Sequence, residues 1–166
     1  ADRDRHDADA IAELGQIVGA PAVKLAVRAH RARIGAAARD LRELQVRPGD
    51  RVMVASENSV ALGAILFAVG RLDAWAIAVN PRLRARELEQ IRSHSGARLV
   101  IFNSALSKEA ADHAVRTGAA MRSIGPFSGL GVGPLNEATQ PEPVEVSAAR
   151  QVAALMYTSG TTGAPK

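Results

Sequence analysis

The sequence contains no cysteine, which removes disulfides and thiolate metal sites from consideration together. Aromatic side chains make up only 3% of the 166 residues, so any core has to be built from Ala, Val, Leu and Ile. That scarcity also bears on the net charge of +4. Nucleic-acid surfaces combine clustered cations with aromatic stacking partners, whereas here arginines are spread along helical faces with Asp and Glu between them. No nucleic-acid partner is expected. Long apolar runs are missing too: the longest, "VALGAILFAVG" over Val60–Gly70, is well short of the roughly 20 residues that span a bilayer, and it suits a buried helix. The opening "ADRDRHDADA" lacks the apolar stretch of a secretory signal, and a cytoplasmic location is expected. What remains, 47% hydrophobic and 23% charged residues, is the balance of one globular domain.

Periodicity divides the chain into four parts: a poorly defined segment over 1–23, an α/β core over 24–125, an irregular connection over 126–148, and a strand with a terminal loop over 149–166. Apolar residues at helical spacing (Leu25, Ala29, Ala32, Ala36, and one row over Ile34, Ala37, Leu41, Leu44) predict a helix across 24–45, closed by the Pro-Gly turn of "VRPGD". Short apolar runs follow at 51–56, Trp75–Val79 and 98–102, with a weaker one near 121–124. Between them lie helical patterns over 60–72, from Arg84 to Gly96, and over 107–117. Ser59 is placed to cap the first of these and Gly96 to stop the second. Nearly continuous apolar strands alternating with helices predict an α/β fold with a mainly parallel sheet flanked by helices. The Pro- and Gly-rich stretch after 125 reads as a connection.

The strongest chemical signal is the closing "YTSGTTGAPK". An apolar strand over 151–159 runs into a loop in which Gly160 and Gly163 free the backbone to approach an anion. Thr158, Ser159, Thr161 and Thr162 add hydroxyl donors for phosphate oxygens or for the water shell of a magnesium ion, and Lys166 adds a flexible cation. The familiar nucleotide loop runs glycine, four residues, Gly-Lys and then Ser or Thr. The spacing here is different, so that mechanism is not implied. The four histidines, His6, His30, His94 and His113, have no metal-ligand spacing. His94 reads as a surface residue on a polar helix.

This ten-residue stretch resembles the phosphate-loop signature of the adenylate-forming superfamily, which includes acyl- and aryl-CoA synthetases. Upstream, "LRELQVRPGDRVMVASENS" and "RLDAWAIAVNPRLRARELEQIRSHSGARLVIF" are similar to that family's first helix–turn–strand and to the strand–helix–strand typical of its CoA ligases. Gln45 and Asp73 stand where many members carry glycine or a small residue. The resemblance implies part of the N-terminal subdomain of the adenylate-forming fold. It also implies a two-step ligase that makes an acyl-adenylate from a carboxylic acid and ATP, then passes the acyl group to coenzyme A. Thr158, Ser159, Gly160, Thr161, Thr162, Gly163 and Lys166 would be the ATP-contacting positions, with Mg2+ accompanying the nucleotide. No catalytic acid, base or metal ligand is assigned within these residues. The rest of the family's machinery lies beyond the signature, so the 166 residues are expected to be an inactive fragment of such a ligase, capable of dimerising through exposed apolar surface. A peptide-synthetase-type adenylation domain and a non-catalytic α/β interaction module are the alternatives.

Overall fold

The computed structural model describes residues 21–147 and 149–157. The chain divides into two compact units, Ala1–Arg33 and Ile34–Lys166, and of the first only the helical residues 21–33 are described. Helix α1 spans Pro21–Glu43. It ends in a Schellman motif: Val46 N–H donates to Leu41 O at 3.0 Å and Gln45 N–H to Arg42 O at 2.9 Å. Val46 and Leu41 are both buried, the apolar contact that accompanies this cap. The motif requires a left-handed residue at Gln45, which adopts φ 62°. An L-residue there costs roughly 1–2 kcal/mol that glycine avoids, partly offset by the chain freedom glycine brings to the unfolded state. Gln45→Gly is therefore expected to stabilise the protein by about 1 kcal/mol, read as a higher urea midpoint with an unchanged slope.

The second unit is built on a six-stranded sheet. Its strands are β1 (Arg51–Ala55), β2 (Trp75–Val79), β3 (Leu99–Phe102), β4 (Ala120–Ile124), β5 (Phe127–Val132) and β6 (Ala154–Leu155), in the order β4-β5-β3-β1-β2-β6. β1 pairs in parallel with β2 and β3, and β2 in parallel with β6. β5 runs antiparallel to both β3 and β4. The mainly parallel sheet expected from the sequence is found, with an antiparallel hairpin added on one edge. One expectation is overturned: residues 127–132, assigned to an irregular connection, form β5, with Leu130 and Val132 buried. Glycines at 129, 131 and 133 hide the strand from propensity, but close packing requires the small residue at two of them: a Cβ on Gly129, which has φ 70°, would lie 2.8 Å from the Ala105 Cβ. A Cβ on Gly131 would lie 2.6 Å from the Ala114 Cβ, so only a bare backbone lets the facing helix approach.

Alternation along the strands feeds two cores, one on each sheet face. Val52, Val54, Leu99, Ile101, Leu130 and Val132 meet α1 (through Ala37 and Leu41) and helix α2, Val60–Gly70 (through Ile65, Ala68 and Val69). Met53, Ile77, Val100 and Phe102 point the other way, onto helices α3 (Ala85–Ser95) and α4 (Lys108–Arg116). Helix ends follow local chemistry. Ser59 Oγ accepts from Leu62 N at 3.0 Å and Ser107 Oγ from Ala110 N at 3.1 Å. Gly96 ends α3 in the left-handed conformation at φ 60°, as the sequence predicts.

Candidate functional site

The sequence-selected residues Thr158, Ser159, Gly160, Thr161, Thr162, Gly163 and Lys166 lie outside the described residues, as does the last part of the strand expected over 151–159. What is described is how the chain is delivered to that segment. After β5 the chain has to travel from one half of the sheet to its opposite edge, and residues 133–147 and 149–153 make the crossing without a ladder of their own. Their backbone groups still need partners. Gly133 N–H donates to Val100 O at 2.9 Å and Asn136 N–H to Arg98 O at 2.8 Å. Arginines then take the carbonyls: Arg47 Nη2 donates to Thr139 O at 3.1 Å and Arg51 Nη2 to Gln140 O at 3.0 Å. Arg51 Nη1 also pairs with the Glu142 carboxylate, and Glu142 N–H donates to Gly49 O at 2.9 Å. Finally Gln151 Nε2 donates to Asp73 O at 3.2 Å, and Ala76 N–H to Ala153 O at 3.1 Å.

The anchors thus fall in succession at the starts of β3, β1 and β2, along the amino-terminal edge of the sheet. They set β6 in register with β2, Ala154 opposite Ala76 and Leu155 opposite Ile77. At the centre of this strap is a buried carboxylate. Asp50, 1% exposed, accepts from Arg47 N at 2.7 Å and pairs with Arg98 Nε at 3.2 Å. The sequence reading uses Asp50 only as the end of a turn and misses all three arginines. For Arg51 and Arg98 the signal is a charge at the start of, or immediately before, an otherwise apolar strand; Arg47 sits in the preceding turn and has none.

Beyond Leu155, Met156 is exposed and Tyr157 turns back onto the protein. Its ring packs against the α3-side core, and its hydroxyl lies 2.8 Å from His94 Nδ1. The two rings meet edge to face, 5.7 Å between centroids at 87°. His94 is exposed, as expected, yet it is engaged. The pair borders an open cavity of about 460 Å³ that also meets Arg51, Trp75, Glu142 and Leu155. Trp75 Nε1 is buried without a hydrogen-bond partner among the described residues. One turn earlier on α3, a hydrogen bond from Arg92 holds the Glu89 carboxyl below its ordinary range.

A second polar cluster occupies the carboxyl end of the sheet. The chain leaves the neighbouring strands β1 and β3 toward opposite edges, the switch point where open α/β sheets form ligand crevices. There Asn103 Nδ2 donates to Ser56 Oγ at 3.0 Å and to Ser59 Oγ at 3.4 Å, and Ser56 and Asn103 are both buried. Glu57 pairs with Arg82 at 2.9 Å. His113 is buried under the next loop, its Nε2 3.1 Å from Pro81 O and 3.0 Å from Leu83 O. Among the described residues, no three His, Cys, Asp or Glu side chains come together to hold a metal ion, and no helix is long and apolar enough to cross a membrane.

A mixed α/β sheet covered on both faces ends in strand β6, which the sequence continues into a glycine- and hydroxyl-rich segment. Residues 4–166 match the model of the AMP-binding enzyme family, and the chain belongs to that family. It is 36% identical over 134 residues to a feruloyl-CoA synthase of an Amycolatopsis species, covering 81% of this chain and 26% of that protein. It is 35% identical over 131 residues to the long-chain-fatty-acid–CoA ligase FadD13 of Mycobacterium tuberculosis, covering 76% of this chain and 25% of that protein. Among solved structures, the inhibitor-bound N-terminal domain of FACL13 from M. tuberculosis superposes with a TM-score of 0.61 at 28% identity, over 84% of this chain and 35% of that one. The chain therefore spans about a quarter of the length of the curated relatives it matches.

Proposed function

We propose that the protein carrying this chain is an ATP-dependent acid–thiol ligase that activates a carboxylic acid as its acyl-adenylate and transfers the acyl group to coenzyme A. The observation that carries this reading is the continuity of β6, set parallel to β2, with the "TSGTTGAPK" of residues 158–166. In this reading Thr158, Ser159, Gly160, Thr161 and Thr162 hold the β- and γ-phosphates of ATP, Gly163 permits the turn, and Lys166 supplies a positive charge. Mg2+ arrives with the nucleotide as part of the substrate. Forming the acyl-adenylate releases pyrophosphate, and fixed N–H and O–H donors stabilise the charge that develops on it. The two named relatives support an aromatic or a long-chain acid as the substrate class, and a cytoplasmic location is part of the same reading.

The test uses the protein expressed from its complete coding sequence. Pyrophosphate exchange into ATP is measured with ferulate, 4-coumarate and fatty acids of increasing length, followed by thioester formation with coenzyme A. Acid-dependent exchange is the expected result. Lys166→Ala is expected to raise the KM for ATP roughly 10- to 100-fold, the range of one charge-assisted hydrogen bond. Absence of exchange with every acid would remove the ligase reading.

A further inference from the structure

We propose that His94 is a positioning residue for the phosphate-binding segment and that it acts through Tyr157; the proposal rests on the role given above to residues 158–166. Among the described residues the pairing of β6 with β2 covers Ala154 and Leu155, and Met156 is 85% exposed. A two-residue ladder followed by an exposed side chain fixes the chain's register but not the direction in which it leaves the sheet. Tyr157, the last residue before the hydroxyl-rich stretch, restores that constraint at two points. Its ring lies against the core that includes Ile77, Leu88 and Ile91, and its hydroxyl meets His94 Nδ1 at 2.8 Å.

His94 can serve as a fixed point because its own turn is immobilised on both sides. Ile91 and Ser95 are buried, and Ser95 Oγ donates to Arg92 O at 3.2 Å. Gly96 closes the helix, donating its N–H to the Arg92 and Ser93 carbonyls, and its own carbonyl accepts from Arg51 Nε at 3.3 Å. Arg51 is also the residue that clamps Glu142 and Gln140 of the strap. The same arginine therefore ties the end of α3 to the segment that delivers β6. His94 acts through Tyr157, setting the direction in which the chain leaves β6. Donors held for phosphate are sensitive to displacements of about 1 Å, which can change rates by up to about a hundredfold.

The experiment compares His94→Ala, His94→Asn, Tyr157→Phe and Lys166→Ala in the protein expressed from its complete coding sequence. The readouts are KM for ATP, KM for the acid and kcat in pyrophosphate exchange, with a thermal melt of each variant. Asparagine keeps a polar atom near the place of Nδ1, and phenylalanine keeps the ring while deleting the hydroxyl. His94→Ala and Tyr157→Phe are each expected to raise the KM for ATP about tenfold, leaving the KM for the acid and the melting temperature unchanged. The double variant is expected to be no worse than either single one, since both break one contact, and His94→Asn restores most of the loss. If Lys166→Ala raises the KM for ATP while His94→Ala and Tyr157→Phe match the parent, the positioning role is overturned and the reading of the loop stands. If Lys166→Ala changes nothing, both fall. Equal increases in both KM values with a lowered melt would show a merely structural contact and overturn the proposal as well.

Discussion

Replacing Asp50 with alanine is expected to destabilise the protein by about 3–5 kcal/mol, the range for breaking a buried ion pair from one side. Two arginines share this carboxylate, and they do not count equally. The Arg47 side chain is 42% exposed, and solvent-screened pairs of that kind contribute little. Arg98 is 9% exposed beside a carboxylate that is itself 1% exposed, so it cannot turn to water when its partner is removed. Alanine would leave its guanidinium with only the Gln45 and Asn136 carbonyls, at 3.2 and 3.4 Å. It would also strand the Arg47 backbone N–H that donates to Asp50 Oδ2 at 2.7 Å. Urea unfolding measures the effect. A useful contrast is Lys108→Ala, which breaks the exposed pair with Asp112 and is expected to leave the midpoint within error. A loss below about 1 kcal/mol for Asp50→Ala would mean that Arg98 finds water, contrary to its burial.

Gly49→Ala is the second large effect, roughly 2–5 kcal/mol. Gly49 has φ 79°, and a Cβ there would sit 1.9 Å from Glu142 O and 2.9 Å from Glu142 C and N. The left-handed backbone alone costs about 1–2 kcal/mol for an L-residue, and overpacking adds about 1–3 kcal/mol. The neighbour is backbone rather than the end of a flexible side chain. It is held by the Glu142 N–H bond to Gly49 O and by the ion pair from Arg51, so relief means lifting the strap off the sheet. Chemical denaturation reads the stability loss. In the protein from the complete coding sequence the same change is expected to raise the KM for ATP, because the strap sets the register of β6. A variant of full stability would show that residues 133–143 can shift without strain.

Much of this architecture was legible in the residues. The spans of β1, β2 and β3 follow from apolar runs bounded by turns, and Trp75–Val79 is found as read. Ser59 caps its helix and Gly96 ends α3 as read, because capping is settled within one turn of chain. β5 was not legible. Its glycines argue against a strand locally, and it forms because β3 offers Ile101 and Phe102 as partners and α4 needs the space at Gly131. His94 gave no sequence signal for its partner, since Tyr157 lies 63 positions away.

The sequence by itself determined the alternation of elements, the capping residues, the family signature and the chemistry that its hydroxyls, glycines and lysine can offer. All of these depend on residues close together in the chain, where spacing and side-chain type suffice. Only the tertiary structure decided that Arg47, Arg51 and Arg98 hold an irregular segment along the amino-terminal edge of the sheet, that Asp50 is the buried partner of Arg98, and that His94 meets Tyr157. Those contacts join residues far apart in sequence. They form because a strap without its own ladder must find donors and acceptors elsewhere, and the starts of three parallel strands present them side by side.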